Sequence, residues 1–129
     1  MAAVGYTFPR SHRLSGKERF ARVFAAGVKH SRGPLVAFAI PNDLGHPRLG
    51  LSVPRRVGTA ARRVRIKRLI REAFRLHQYD LPAGYDFVVV VRPHEPFILA
   101  EYLKLLTAMM VQLHGVWQKR SGAPASRDG

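Results

Sequence analysis

The sequence predicts an α+β fold in a single domain, with the element order α-β-β-β-α-β-α. The chain has 129 residues, a length typical of one domain, and its 47% hydrophobic content is sufficient for a buried core. Apolar residues recur at helical spacing in some segments and form strand-like runs in others. Because strands and helices do not alternate regularly, we expect a mixed sheet with helices packed on it rather than a doubly wound α/β fold.

Composition divides the chain into three predicted regions. Residues 1–9 are expected to be flexible, residues 10–120 to form the domain, and residues 121–129 to be a disordered tail. The longest apolar run, residues 87–91, is too short to span a bilayer, and the N-terminus has no signal-peptide pattern. The chain contains no cysteine. These features predict a cytoplasmic protein that does not insert into membranes.

The first helix is predicted at residues 16–26. Ser15 and Glu18 have the spacing of a capping box, and Gly27 is expected to end the helix. Three apolar side chains share one face, namely Phe20, Val23 and Phe24. Aromatic side chains on a helix most often belong to the core, although exposed ones beside cations also stack on unpaired bases. From the residues alone, a core role is the favoured interpretation.

Four segments have strand character. A short strand at residues 28–31 precedes residues 35–40, and the latter are expected to pair with residues 48–53 in a hairpin or meander. Residues 85–92 contain an apolar run without alternation, which predicts a strand buried on both faces at the centre of the sheet. A final amphipathic helix is predicted at residues 97–118.

A strongly basic helix is predicted between the third and fourth strands. Gly58 interrupts the preceding structure, and Thr59 can cap the helix. At about 100° per residue, its apolar side chains form one arc of Ile66, Leu69, Ile70, Ala73, Phe74 and Leu76. The opposite arc carries Lys67, Arg68, Arg71, Glu72 and Arg75, with Arg65 at its border. One face therefore suits a core, and the other is almost wholly cationic.

The charge of this helix is unbalanced. From Arg55 to Arg75 there are nine Arg or Lys residues and one acid, Glu72, and the whole chain has a net charge of +14. Ordinary solvated helix faces mix charges of both signs, because like charges at i,i+4 repel. We therefore expect a polyanionic partner to supply the missing counter-charge.

The residue pattern argues against a catalyst. The eight carboxylates show no local cluster that would hold two metal ions, and the six histidines show no metal-ligand spacing. His12 and His114 form one alternative, as the general acid and base of a protein-only nuclease. No catalytic residue, no metal ligand and no bound cofactor is predicted.

The residues around the basic helix resemble the protein subunit of bacterial ribonuclease P. That family carries an Arg-Asn-Arg core followed by Lys-Arg and a further Arg, and residues 63–71 here read Arg-Val-Arg-Ile-Lys-Arg-Leu-Ile-Arg. The flanking segments are also similar, with Phe-Pro-Arg-Ser-His-Arg-Leu at residues 8–14 and Arg-Leu-Gly-Leu-Ser-Val at residues 48–53. The resemblance extends over about residues 8–96.

The resemblance implies a fold, an activity and partners. The fold is an α+β sandwich with a left-handed βαβ crossover, which is contrary to the usual handedness. The activity is endonucleolytic removal of the 5′ leader from precursor tRNA, with the phosphodiester chemistry carried by a catalytic RNA and Mg²⁺. The implied partners are that catalytic RNA and precursor tRNA, and no protein partner is expected.

The resemblance divides the candidate site residues between two surfaces. Those implied to bind the catalytic RNA are Arg55, Arg56, Arg62, Arg63, Arg65, Lys67, Arg68 and Arg71. Those implied to face the single-stranded leader, in a cleft between the first helix and the sheet, are Arg10, Arg13, Phe20, Phe24 and Phe38. This reverses the core interpretation of the first-helix aromatics. The alternative is a ribosomal or DNA-binding structural protein that uses the same basic helix.

One position departs from the family motif, because Val64 stands where the family has Asn. Helical spacing places Val64 on the cationic arc, where it has no core to join. An Asn could donate hydrogen bonds to phosphate or to a base edge, which Val cannot. The sequence therefore predicts that Val64→Asn tightens RNA binding by on the order of 1 kcal/mol.

Overall fold

The computed structural model describes residues 12–120. Its elements in chain order are α1 (Lys17–Ala26), β1 (Lys29–Arg32), β2 (Leu35–Pro41), β3 (Arg48–Ser52), a 3₁₀ turn (Arg55–Val57), α2 (Ala60–His77), β4 (Tyr85–Val91) and α3 (Leu99–Arg120). The predicted order α-β-β-β-α-β-α is confirmed. The predicted flexible N-terminus and disordered tail fall outside the described residues and stay predictions.

The strands form a mixed sheet in the order β1-β2-β4-β3. β1 and β2 form an antiparallel hairpin, β2 pairs antiparallel with β4, and β4 pairs parallel with β3. The prediction that residues 35–40 and 48–53 pair with each other is wrong, because β4 lies between them. β4 is apolar on both faces and occupies the centre of the sheet, as predicted.

The basic helix is the connection of a βαβ crossover. α2 joins the parallel neighbours β3 and β4, and a parallel pair requires a long connection of this kind. The crossover that the resemblance implies is therefore present, while its left-handed sense stays a prediction.

Alternation along the strands divides the core between the two faces of the sheet. On one face Ala37 and Val89 pack with α2 and α3, and on the other Val88 packs with Val23 of α1. Fully buried side chains of the helices include Ile66, Ile70, Phe74, Tyr102, Met109 and Met110. Each large apolar side chain buried in this way contributes about 1.5–3 kcal/mol relative to an exposed one. The core therefore fixes the rotation of α2 and directs its cationic arc outward.

The two helices that carry candidate site residues begin differently. Thr59 caps α2 as predicted, since its Oγ1 accepts a hydrogen bond of 3.1 Å from the backbone N–H of Arg62. The capping box predicted for α1 is wrong. Gly16 occupies the N-cap position with φ of 101°, and no side chain caps the helix there. The helix therefore begins one residue later than a Ser15 cap requires.

Candidate nucleic-acid interface

The cationic face of α2, defined here as Arg65, Lys67, Arg68 and Arg71, points away from the core. Three of the four residues are exposed and Lys67 is half-buried. Within residues 12–120, no ion pair joins any of them to an acid. No direct ion pair in the described part of the chain therefore relieves their mutual repulsion, and a polyanion would relieve it.

The acids near α2 pair with residues outside the cationic face. Glu95 contacts Arg62 at 3.1 Å, and Glu72 accepts a hydrogen bond of 2.9 Å from Nε of Arg75. The Arg62 pair is exposed and contributes little, because solvent screens it. Arg63 donates through Nε to the carbonyl oxygen of Gly58 at 3.3 Å. Glu72 lies in one surface depression with Arg68 and Arg71, but its ion pair is with Arg75.

Two further candidates, Arg55 and Arg56, lie in the 3₁₀ turn immediately before α2, where both are exposed. They extend the basic surface beyond the N-terminus of the helix.

A groove of 780 Å³, here called the aromatic groove, runs between α1 and β3. Its lining includes Arg13, Lys17, Phe20, Phe24, Leu51 and Arg71. Phe38 does not line it but supports it from β2, with its ring centroid 4.8 Å from that of Phe24 in an edge-to-face contact. Phe24 in turn contacts Phe20 edge-to-face at 6.3 Å. The predicted aromatics therefore form one connected cluster, and Phe24 is 38% exposed at its surface.

Gly50 of β3 explains why the ring of Phe20 lies so close to the sheet. A Cβ atom at position 50 would be 2.7 Å from two ring atoms of Phe20 and 3.0 Å from the carbonyl oxygen of Leu14. The backbone of Leu14 is itself held to β3 by a hydrogen bond of 2.9 Å to Leu49. Only glycine allows this approach, so the floor of the groove depends on one backbone position.

Arg71 connects the two candidate surfaces. It was expected to bind the catalytic RNA, but its side chain also lines the aromatic groove together with Arg13. Local burial, and then the positive charge of Arg13, lower the pKa of the Arg71 guanidinium. Two cations in one groove favour an anion between them, and the backbone of a nucleic acid supplies one for each nucleotide.

Two shallower depressions continue from the groove along α2. The intermediate depression has a volume of 500 Å³ and shares Arg13 and Arg71 with the aromatic groove. The Val64 depression has a volume of 590 Å³ and shares Arg68 and Leu69 with the intermediate depression. The three concavities are therefore adjacent from α1 to the first turns of α2, and their lining is mostly basic, with Glu72 in the intermediate depression.

The comparison with known sequences decides the family. The sequence model of the ribonuclease P family matches residues 8–114. The chain belongs to the ribonuclease P protein family. A relative from Methylococcus capsulatus, described as a ribonuclease P protein component, is 48% identical over 89 residues, which cover 68% of this chain and 69% of the relative.

Solved structures of ribonuclease P proteins have the same fold. The protein from Staphylococcus aureus matches with a TM-score of 0.69 and 27% identity, over 80% of this chain and 94% of that one. The protein from Thermotoga maritima matches with a TM-score of 0.66 and 31% identity, over 74% of this chain and 96% of that one. The resemblance is therefore confirmed. The chain is the protein component of a ribonucleoprotein endonuclease of tRNA processing, a family in which the RNA subunit carries the chemistry.

The two histidines considered for a protein-only nuclease have separate partners. Nδ1 of His12 lies 2.9 Å from Oε1 of Gln78, and Nδ1 of His114 lies 2.8 Å from the hydroxyl of Tyr85. In the described chain, no three His, Asp or Glu side chains are grouped to hold a metal ion.

No helix between residues 12 and 120 is both long enough and apolar enough to cross a membrane. Arg10, a candidate for the leader cleft, lies outside the described residues.

Two polar clusters were missed by sequence reasoning. The ring of His12 packs against that of His46 in a tilted contact with the centroids 4.0 Å apart, and its Nδ1 is within hydrogen-bond distance of the buried side chain of Gln78. Arg48 and Asp86 form a two-point ion pair between β3 and β4. The first cluster joins residues 66 positions apart and leaves no local sequence signal. The second could have been found had the parallel pairing of these strands been predicted.

Proposed function

We propose that this chain binds the catalytic RNA of ribonuclease P through the cationic face of α2 and the 5′ leader of precursor tRNA in the aromatic groove. The proposal rests on one observation. The cationic face carries four basic residues without an acidic partner in residues 12–120, and it is continuous with a groove that contains an aromatic cluster.

The first task of the protein is charge neutralisation. Folded RNA and its tRNA substrate bring phosphates close together, and a chain with a net charge of +14 reduces their repulsion. Each phosphate contact releases a condensed counterion, so RNA affinity falls steeply as salt increases. The protein should also lower the Mg²⁺ concentration that the RNA-catalysed reaction requires in the cytoplasm.

The second task is recognition of the substrate. Unpaired leader bases stack on exposed aromatic rings, and each such contact contributes about 1–3 kcal/mol. Phe24 offers the most exposed ring, while Arg13 and Arg71 lie beside it to receive a phosphate. Mature tRNA has no leader and lacks these contacts. The complex should therefore bind precursor more tightly than product.

An omission experiment tests the function as a whole. Protein, catalytic RNA and precursor tRNA are mixed at low Mg²⁺, each component is omitted in turn, and 5′ processing is followed. We expect cleavage only with both RNAs present, and faster cleavage with the protein. Cleavage by protein alone would identify a protein-only nuclease. Tighter binding to duplex DNA or ribosomal RNA than to these RNAs would identify a structural nucleic-acid-binding protein.

A set of variants tests the division between the two surfaces. Arg65→Ala, Lys67→Ala and Arg68→Ala should weaken assembly with the catalytic RNA and reduce its salt dependence, with little change in leader preference. Phe20→Ala and Phe24→Ala should reduce the preference for precursor over mature tRNA by about five-fold or more, with little change in assembly.

The control for these variants is Lys104→Ala, which removes an exposed positive charge from α3. This variant should change neither assembly with the catalytic RNA nor the preference for precursor over mature tRNA. Arg71→Ala should impair both, because Arg71 belongs to the groove as well as to the cationic face. The same loss profile for the arginine and phenylalanine variants would refute the assignment of two surfaces.

A further inference from the structure

The Val64 depression places apolar side chains within the basic surface of α2. It is formed by residues of α2 that follow one another at helical spacing, namely Ala60, Ala61, Val64, Arg65, Arg68 and Leu69. Val64 is 42% exposed at its centre. Ala61 and Leu69 contribute further apolar surface to the lining, and Arg65 and Arg68 contribute its charged side chains.

Val64 is an exposed valine that shares its depression with two arginines and packs against neither core cluster of the described chain. Val64 is absent from both core clusters, and neither arginine contacts an acid in residues 12–120. A suitable ligand would present a flat, weakly hydrated surface to the floor and negative charges to the two rims. A nucleotide has this combination, because its base has an apolar π-face and its flanking phosphates are anionic.

We propose that one unstacked nucleobase of the catalytic RNA lies on Val64, with its neighbouring phosphates bound by Arg65 and Arg68. This inference rests on the proposed function, since it requires that the cationic face of α2 binds RNA. It adds the kind of contact made at position 64, which is apolar packing against the face of a base rather than hydrogen bonding to its edge.

The proposed base contact implies the opposite of the effect expected from the sequence for Val64→Asn. An amide beneath the face of a base would lose its hydrogen bonds to water without gaining a partner there, and that loss opposes binding. The substitution should therefore weaken RNA binding rather than tighten it. Because the two expectations have opposite signs, one titration distinguishes them.

Two substitutions at position 64 test whether binding depends on the apolar character of the side chain or on its branched shape. Val64→Thr keeps the branched shape and replaces a methyl group by a hydroxyl, whereas Val64→Asn introduces an amide. Valine, threonine and asparagine have similar helix propensities, so α2 should remain folded in both variants, as an unfolding curve would verify. The matched controls are Val111→Thr and Val111→Asn on α3, where Val111 is 53% exposed.

The experiment is a titration of full-length protein into the catalytic RNA at several salt concentrations. We expect both Val64 variants to bind roughly three- to ten-fold more weakly, with the salt slope unchanged because no charge is removed. The Val111 variants should bind like the wild type. Chemical probing of the RNA should show one base that is protected by the wild type and becomes reactive with Val64→Asn.

The outcomes separate this inference from the function on which it rests. Equal or tighter binding by Val64→Asn, with weaker binding by Arg68→Ala, would overturn the base contact and retain RNA binding by α2. Unchanged binding by Arg65→Ala and Arg68→Ala would overturn the proposed function itself. Weaker binding by Val64→Asn without a change in the reactivity of any base would also overturn the contact.

Discussion

The ion pair between Arg48 and Asp86 supports a specific prediction of stability. Arg48 donates through Nε and Nη2 to the two carboxylate oxygens of Asp86, each at 2.7 Å, and Nδ2 of Asn42 donates to Oδ1 at 2.8 Å. The two charged residues are register partners in the parallel pair of β3 and β4. Asp86→Ala would therefore leave the guanidinium of Arg48 without its acceptor and would remove the shorter of the two hydrogen bonds donated by Nδ2 of Asn42.

The magnitude follows from the burial of the pair. The side chains of Arg48 and Asp86 are 19% and 12% exposed, which is close to a buried pair. Removing one partner of a buried pair costs about 3–5 kcal/mol, and the residual exposure favours the lower limit. We expect Asp86→Ala to lower the free energy of unfolding by about 3 kcal/mol, and the midpoint of thermal unfolding by about 12 °C for a domain of this size.

The assay is denaturant unfolding of the wild type and the variant, with Glu95→Ala as the control. Glu95 also pairs with an arginine, but its side chain is 82% exposed, so its removal should cost less than about 0.5 kcal/mol. The double variant Arg48→Met/Asp86→Leu should recover most of the loss, because it leaves no unpaired charge. A cost below about 1 kcal/mol for Asp86→Ala, or one equal to that of Glu95→Ala, would refute the reasoning.

Two further predictions concern the groove and pH. Gly50→Ala should displace the ring of Phe20 and reduce the preference for precursor over mature tRNA by about five-fold, with assembly on the catalytic RNA unchanged, and equal precursor preference in a competition titration would contradict it. Burial, and then the charge of His46, lower the pKa of His12, while the hydrogen bond to Gln78 raises it. Because the folded pKa lies below the unfolded value of about 6.5, the unfolded state binds more protons in this range, and stability should fall as pH drops below about 6.5. His12→Gln should flatten this part of the curve of unfolding free energy against pH, and a slope identical to that of the wild type would exclude His12 as its source.

Local features of the fold could be predicted well from the sequence. The limits of α2 and its Thr59 cap depend on the spacing of apolar residues and on one side chain, both of which belong to a short segment. The central position of β4 followed from its apolar residues on both faces. The start of α1 was predicted one residue too early, because the backbone conformation of Gly16 overrides the pattern of the capping box.

The sequence by itself determined which residues of α2 are cationic and which are apolar, and thus that the helix has one face for a core and one that is almost wholly cationic. Only the tertiary structure decided that β4 separates β2 from β3, that Arg71 meets Arg13 in the aromatic groove, and that Phe20 lies against Gly50. The physical reason is the range of the interactions. Helical periodicity acts over a few residues, whereas strand order and groove shape depend on contacts between segments tens of residues apart, which no local pattern specifies.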